Sequence, residues 1–242
     1  MGVFQFKRFE VVNERSAMKV NTDGVLLGAS MTIRSSDRHL LDIGTGTGTI
    51  ALMAAQRLEN GQSDYSISAI DIDEASATEA AANFISSPWS DNLQVFHTSL
   101  DEFTMTVVDR EYDLIFSNPP YFEDSLNAPE IRRNNARHTS TGLSYREILD
   151  FASRYLTEEG RVSLVLPADI ENSLCRHARM NGLHLFRIIR VRTVPRKAPS
   201  RIIAEFSRMR TDSVDDVVLT IQNEGKYTQE YLSLMHDFYL FA

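Results

Sequence analysis

Apolar residues along this chain fall into short runs that alternate with stretches of helical period. His39-Leu40-Leu41-Asp42-Ile43-Gly44 is an apolar run closed by an acid and a glycine, and residues 49–58 follow it with helical spacing. Residues 66–71 predict a second strand that leads into an alanine-rich helix over 74–84, and residues 93–97 predict a third strand. Tyr112-Asp113-Leu114-Ile115-Phe116-Ser117 reads as a buried fourth strand. After a long irregular stretch come a helix over 144–156, a strand over 161–166 and a helix over 170–181. This alternation predicts a parallel sheet covered by helices on both faces. The pattern then changes to long strands over 186–194 and 201–209, and one over 217–222 before a terminal helix, so an antiparallel edge is expected to finish a seven-stranded sheet. Residues 4–12 read as short strands at the other end.

Composition allows one substantial domain, because 43% of the 242 residues are hydrophobic and no linker or low-complexity tract divides them. Within it, residues 1–37 precede the first core strand, 38–182 carry the alternating pattern, and 183–242 carry the long strands and last helix. No stretch approaches the ~18 apolar residues of a membrane span, and Met1-Gly2-Val3-Phe4-Gln5-Phe6-Lys7 lacks a signal peptide's apolar region, so a soluble, cytoplasmic monomer is expected. The lone Cys175 excludes an internal disulfide and a cysteine-based zinc cluster, and no metal is expected. The net charge of −8 means that any surface for nucleic acid must be local. Residues 187–210 supply one: eight cations, among them Arg190, Arg192, Arg196, Lys197 and Arg201, stand against a single acid, Glu205. A solvated strand face is the competing reading, since Arg190 and Arg192 alternate with apolar neighbours.

The candidate chemistry gathers at strand ends. Asn118-Pro119-Pro120-Tyr121 closes the fourth strand. Two prolines remove backbone donors and leave carbonyls to accept, so the Asn118 side-chain oxygen and the Pro119 carbonyl can receive the two hydrogens of an exocyclic amine while the Tyr121 ring stacks on a planar group. An ordinary Asn-Pro turn would also fit the tetrapeptide alone. Closing the first strand, Asp42-Ile43-Gly44-Thr45-Gly46-Thr47-Gly48 places glycines at every second position, which lets backbone approach a ligand closely. The dinucleotide fingerprint G-x-G-x-x-G is not met, because the third glycine comes one position early. Asp42 can accept from a ligand ammonium or from loop amides. Asp71, ending the second strand, is placed to take two ribose hydroxyls, with Ile72 able to cover an adenine face; a helix N-cap is the other use of an acid there, and Asp73 competes for it.

Asp42, Gly44, Gly46 and Gly48, then Asp71, then Asn118-Pro119-Pro120-Tyr121, in this order and at these strand ends, resemble a class I S-adenosylmethionine-dependent methyltransferase of the Rossmann-like α/β fold. The Asn-Pro-Pro-Tyr form resembles that of enzymes which methylate exocyclic amino or amide nitrogens. Met18-Lys19-Val20-Asn21-Thr22-Asp23-Gly24-Val25-Leu26-Leu27-Gly28-Ala29 further resembles the bacterial tRNA(Val) adenine-N6 methyltransferases, which modify adenine-37 beside the anticodon. Residues 4–9, Asn135-Ala136-Arg137-His138 and Lys197-Ala198-Pro199-Ser200-Arg201 agree with the same family, so the resemblance covers nearly the whole chain.

The resemblance implies S-adenosyl-L-methionine as cofactor, held by Thr22, Asp23, Asp42, Gly44, Thr45, Gly46, Gly48, Asp71, Ile72, Ser99, Leu100 and Asn118. It implies tRNA as partner, with Arg137, His138, Arg190, Arg192, Arg196, Lys197 and Arg201 on the RNA, and Tyr121 and Phe122 stacking on the extruded base. Arg132 and Arg133 lie in the same long segment as His138. Two positions depart from the family. Many relatives carry an Asp after the third strand that accepts from the cofactor adenine; here Ser99 or Asp101 takes that place, with the Leu100 amide as the alternative. Asn21 replaces a glycine, a change that left-handed backbone at Asn would tolerate. Transfer to glutamine of a release factor is the rival activity, but those enzymes carry a helical domain ahead of the core where this chain has strands. DNA adenine methylation, for which no added recognition domain is present, and a non-catalytic binding module are the others.

Overall fold

The computed structural model describes residues 2–16, 18–59, 64–107, 111–121 and 143–242. Two short antiparallel strands, β1 (Val3–Gln5) and β2 (Glu10–Val12), lead to helix α1 (Thr22–Ser30). The alternating unit follows: β3 (His39–Ile43), α2 (Thr49–Glu59), β4 (Ser66–Asp71), α3 (Glu74–Ile85), β5 (Leu93–His97), α4 (Leu100–Thr106) and β6 (Tyr112–Ser117). Then come α5 (Tyr145–Tyr155), β7 (Leu156–Pro167), α6 (Glu171–Met180), β8 (His184–Arg192), β9 (Arg201–Ser207), β10 (Asp215–Thr220), the hairpin β11 (Gln222–Asn223) and β12 (Lys226–Tyr227), and α7 (Gln229–Met235).

The main sheet has eight strands in the order β10-β8-β9-β7-β6-β3-β4-β5, one more than the seven expected. Its antiparallel strand is not at the edge. β9 runs antiparallel to both β7 and β8, and β10 pairs parallel with β8 outside it. The reason is polar as well as apolar: Arg187 pairs with Asp215 and Arg190 with Asp216 across the β8–β10 register, and Leu219 is buried on the same strand.

Alternation along the strands builds two cores. Leu40, Leu114 and Val165 face α1, α2, α3 and α7, while Leu41, Ile115 and Leu164 face α4, α5 and α6. Two buried charges inside this sandwich are paired. Glu205 is fully buried and accepts from Thr32 N at 2.8 Å, Ser163 Oγ at 2.7 Å and Arg187 Nη1 at 2.9 Å. Arg161, 1% exposed, pairs with Asp37. These contacts fasten residues 31–37 across the sheet and so set where α1 ends and β3 begins. Among the described residues, no helix is long and apolar enough to cross a membrane.

Candidate active site

The parallel strands β3, β4 and β6 end at one rim, and there the glycine turn, Asp71 and Asn118 come together. The turn is left-handed at each glycine, with φ of 72° at Gly44, 57° at Gly46 and 81° at Gly48, values that side chains rarely adopt. Gly48 has a separate reason: a Cβ there would stand 2.5 Å from a ring carbon of Phe84. Its missing side chain lets the turn pack against α3, and Gly48 lines neither cavity. Gly44 N and Thr45 N donate to Ile70 O at 2.9 and 3.0 Å, tying the turn to β4.

A cavity of about 310 Å3 opens against this rim, lined by Gly44, Gly46, Asp71, Ile72, Ser99, Leu100, Asp101, Asn118 and Pro120 among others. A second, of about 30 Å3, is lined by Asn21, Gly24, Thr45, Thr49 and Ile50 and shares Met18, Gly44, Gly46 and Asn118 with the first. Ile72 is 61% exposed, an apolar side chain presented to the cavity beside Asp71. Asp73 is the N-cap of α3, accepting from Ser76 N, which frees Asp71 from that duty. Asp71 instead accepts from Gly46 N at 2.8 Å and Asp73 N at 2.9 Å, one on each oxygen, so each oxygen keeps a lone pair. Burial raises its carboxyl above the ordinary value.

Asp42 is wholly buried behind the turn. Thr45 Oγ1 donates to its Oδ2 at 2.7 Å, while Oδ1 has no hydrogen-bond partner among the described residues. Burial, against the Thr45 hydrogen bond, pushes this carboxyl up to about 7.

Three expectations change. Ser99 is the N-cap of α4 in a reciprocal capping box with Glu102, so its oxygen already accepts from Glu102 N at 3.2 Å; its place at the cavity stands, its acceptor capacity is reduced. Asn21 is extended, φ −136°, and not left-handed: its side chain caps α1 by accepting from Gly24 N at 2.9 Å. Thr22 and Asp23 do not line either cavity. Asp23 instead accepts from Arg201 Nε at 2.8 Å and from the Tyr121 hydroxyl at 3.0 Å, because α1 abuts the start of β9.

That cluster lines neither cavity and abuts the site through Asn118. Tyr121 Oη also stands 2.9 Å from Asn118 Oδ1, and the Arg201 guanidinium lies 5.0 Å from the Tyr121 ring centre. A base stacking on Tyr121 must therefore use the opposite face or displace the guanidinium. Asn118 Nδ2 reaches Asn21 Oδ1 at 3.4 Å, so the new cap also steadies the carboxamide.

The expected basic face divides in two. Arg190 is held by Glu171 and Asp216, and Arg192 donates to Thr220 Oγ1 at 2.8 Å and Pro195 O at 3.0 Å, so both belong to the sheet. Acids from α6 and β10, far away in sequence, neutralise what reads as a cationic run. Arg196 and Lys197 are exposed in the β8–β9 turn. β8 runs parallel to β7, so this turn sits at the same end of the sheet as Asn118. Phe122, Arg132, Arg133, Arg137 and His138 lie outside the described residues.

Sequence reasoning missed Glu79 and Asn83 on α3. Glu79 accepts from the amides of Glu14, Arg15 and Ser16 at 2.7, 2.8 and 2.9 Å, and Asn83 donates to Val12 O and to Thr47 O. Together they lay residues 12–16 beside the glycine turn, and Met18 reaches both cavities. An acid and an amide one helical turn apart inside an alanine-rich helix were the available signal.

A strand-end glycine turn with an acid at each of the first two strand ends and an Asn-Pro-Pro-Tyr at the fourth defines a class I methyltransferase, whose cofactor is S-adenosyl-L-methionine. Comparison with known proteins agrees. The profile of the methyltransferase small domain matches residues 15–175. A protein of Parabacteroides distasonis named tRNA1(Val) (adenine(37)-N6)-methyltransferase is 43% identical over 238 residues, 98% of this chain and 97% of that one; its namesake in Bacteroides fragilis is 41% identical over 237 residues with the same coverage. A solved structure from Agrobacterium tumefaciens, titled a predicted O-methyltransferase, superposes with a TM-score of 0.65 at 15% identity over 89% of this chain and 96% of its own, which speaks for the fold. The chain belongs to the methyltransferase small domain family and, within it, to the family these curated relatives represent.

Proposed function

We propose that this protein methylates the N6 amino group of adenine in tRNA, at adenine-37 beside the anticodon of tRNA1(Val). The observation that carries the reading is the position of Asn118: a carboxamide at the end of β6 shared by both cavities, with Asp71 and the glycine turn on one side and Tyr121 on the other. The residues fit the cofactor. Asp42 Oδ1 is a buried acceptor without a partner among the described residues, behind the glycine turn, and Asp71 keeps free lone pairs for two hydroxyls beside the exposed Ile72.

When bound, S-adenosyl-L-methionine supplies an electrophilic methyl carbon on a sulfonium leaving group. On this reading Gly44, Thr45, Gly46 and Asn118 hold its amino-acid end, and Asp71, Ile72, Leu100 and Ser99 its adenosine. Asn118 Oδ1 and the Pro119 carbonyl accept the two hydrogens of the adenine amine, which turns the nitrogen lone pair toward the methyl donor without a strong base; this is catalysis by positioning. Pro120 keeps the turn extended. Tyr121 offers its ring to a base that has left its stack, at a cost of a few kcal/mol that is smaller in a loop than in a duplex. Arg196 and Lys197 reach phosphates at the rim, and Arg201 stands between them and Tyr121.

The test is to incubate the protein with methyl-labelled cofactor and, separately, tRNA1(Val), duplex DNA and a release factor. Label on adenine-37 N6 in the wild type, lost in Asn118→Ala although that variant still binds S-adenosyl-L-homocysteine, is the expected result. Label on a release-factor glutamine, or full activity in Asn118→Ala, would overturn it.

A further inference from the structure

Resting on that reading, we propose that Asp23 is a positioning residue for the acceptor: it draws the Tyr121 hydroxyl hydrogen away from Asn118 and keeps the carboxamide oxygen open to the substrate amine. The Tyr121 O–H has one hydrogen and two acceptors in reach, Asp23 Oδ2 at 3.0 Å and Asn118 Oδ1 at 2.9 Å. One hydrogen serves one of them well, and a carboxylate is the stronger acceptor by about a factor of two. Burial, then the nearby Asp23 charge, pushes the phenol above its ordinary range, so the hydroxyl keeps that hydrogen.

Two further contacts hold the arrangement. Arg201 Nε donates to the same Asp23 oxygen at 2.8 Å while its guanidinium lies over the Tyr121 ring, which fixes the carboxylate and braces the ring together. Asn118 Nδ2 reaches Asn21 Oδ1, so the carboxamide oxygen is turned toward the acceptor side. The cap and first turn of α1 thus govern both ends of the Asn118 amide. Without Asp23, the nearest acceptor for the phenol is Asn118 Oδ1, and the O–H then takes one of that oxygen's two lone pairs and weakens and misdirects the bond that should align the amine.

The logic predicts coupling between the two side chains, not merely a loss. Asp23→Ala should lower kcat on tRNA by about tenfold, the factor carried by one neutral hydrogen bond. KM for tRNA and the affinity for S-adenosyl-L-homocysteine, measured by calorimetry, should change less than twofold, which also shows the variant is folded. Tyr121→Phe lowers kcat by itself, having lost its anchor. In that background Asp23→Ala should cost less than a further twofold, because no hydroxyl remains to be drawn off. An equal loss in both backgrounds would overturn the proposal, as would a loss of S-adenosyl-L-homocysteine affinity in Asp23→Ala, which would make Asp23 a cofactor ligand. Wild-type label found away from adenine would instead refute the functional reading itself, so the two failures are separable.

Discussion

Replacing Glu79 by Gln changes one oxygen to an NH2 group at nearly constant volume, yet it should be among the most damaging conservative changes in the molecule. Glu79 is buried and receives three backbone N–H groups, those of Glu14 and Arg15 on Oε1 and that of Ser16 on Oε2. A glutamine can present its single oxygen to the first two, but its NH2 then faces Ser16 N, donor against donor. One buried N–H left unpaired costs about 1–3 kcal/mol, and the two remaining bonds drop from charge-assisted to neutral strength, so a loss of about 2–4 kcal/mol is expected. For a chain of this length that is roughly 5–15 °C in Tm. The cofactor should feel it too, because residues 14–16 lie just ahead of Met18, which lines both cavities. Burial raises the Glu79 carboxyl, but the three amides outweigh it and hold it below the ordinary 4.5. Its stabilising effect is therefore present above pH 4.5 and disappears as pH falls through the lowered value, so the gap between wild type and variant should close in acid. Differential scanning calorimetry from about pH 2 to 8, with S-adenosyl-L-homocysteine titrations at pH 7.5, measures both. A variant with unchanged Tm and unchanged affinity at pH 7.5 would refute the anchoring role.

Two other outcomes follow from charges at the site. Asp42, raised from 3.8 to about 7, binds a proton more readily folded than unfolded, so wild-type stability should fall as pH rises from about 4 through 7, by an amount on the order of a few kcal/mol. Asp42→Asn should flatten that slope, stabilising the cofactor-free protein at pH 8 while weakening cofactor binding; urea unfolding with the same slope in both proteins would contradict it. On the RNA side, Arg196→Ala and Lys197→Ala should each reduce the slope of log affinity against log salt for tRNA by about one, read by filter binding. Arg190→Ala should leave that slope alone and lower Tm, since its guanidinium is occupied by Glu171 and Asp216. A reduced slope for Arg190→Ala with normal stability would return it to the RNA surface.

Legibility in the sequence followed the range of the interactions. The strands over 39–43, 66–71, 93–97 and 112–117 and the helices after the first two of them are local patterns of apolar spacing, and they stand where the pattern placed them within a residue or two. Helix α1 escaped for a physical reason: Gly24 through Ser30 are all buried, so no polar face gives it a helical period, and two glycines argue against a helix on propensity. Gly28 has a packing reason instead, since a Cβ there would stand 2.8 Å from Met53 Sδ. α4 is seven residues long and announces itself only through its capping box, which the comparison of Ser99 with a cofactor ligand concealed.

The site divides along the same line. The glycine turn, Asp71 and Asn118 each end a strand whose place in a parallel sheet is set by topology, so spacing alone brings them to one rim. What spacing does not contain is which side chain answers which. Tyr121 meets Asp23 across 98 positions and Arg201 meets it across 178, contacts decided by the approach of α1 to β9. The cationic run over 187–210 is partly neutralised for the same reason: β10 lies outside β8, and its Asp215 and Asp216 pair with Arg187 and Arg190 through a register that no local pattern specifies. Charge counted along a segment therefore overstates an RNA surface wherever the segment is a strand with an acidic neighbour, and Arg196 and Lys197 escape that cancellation because they occupy a turn, beyond the last paired residue of the sheet.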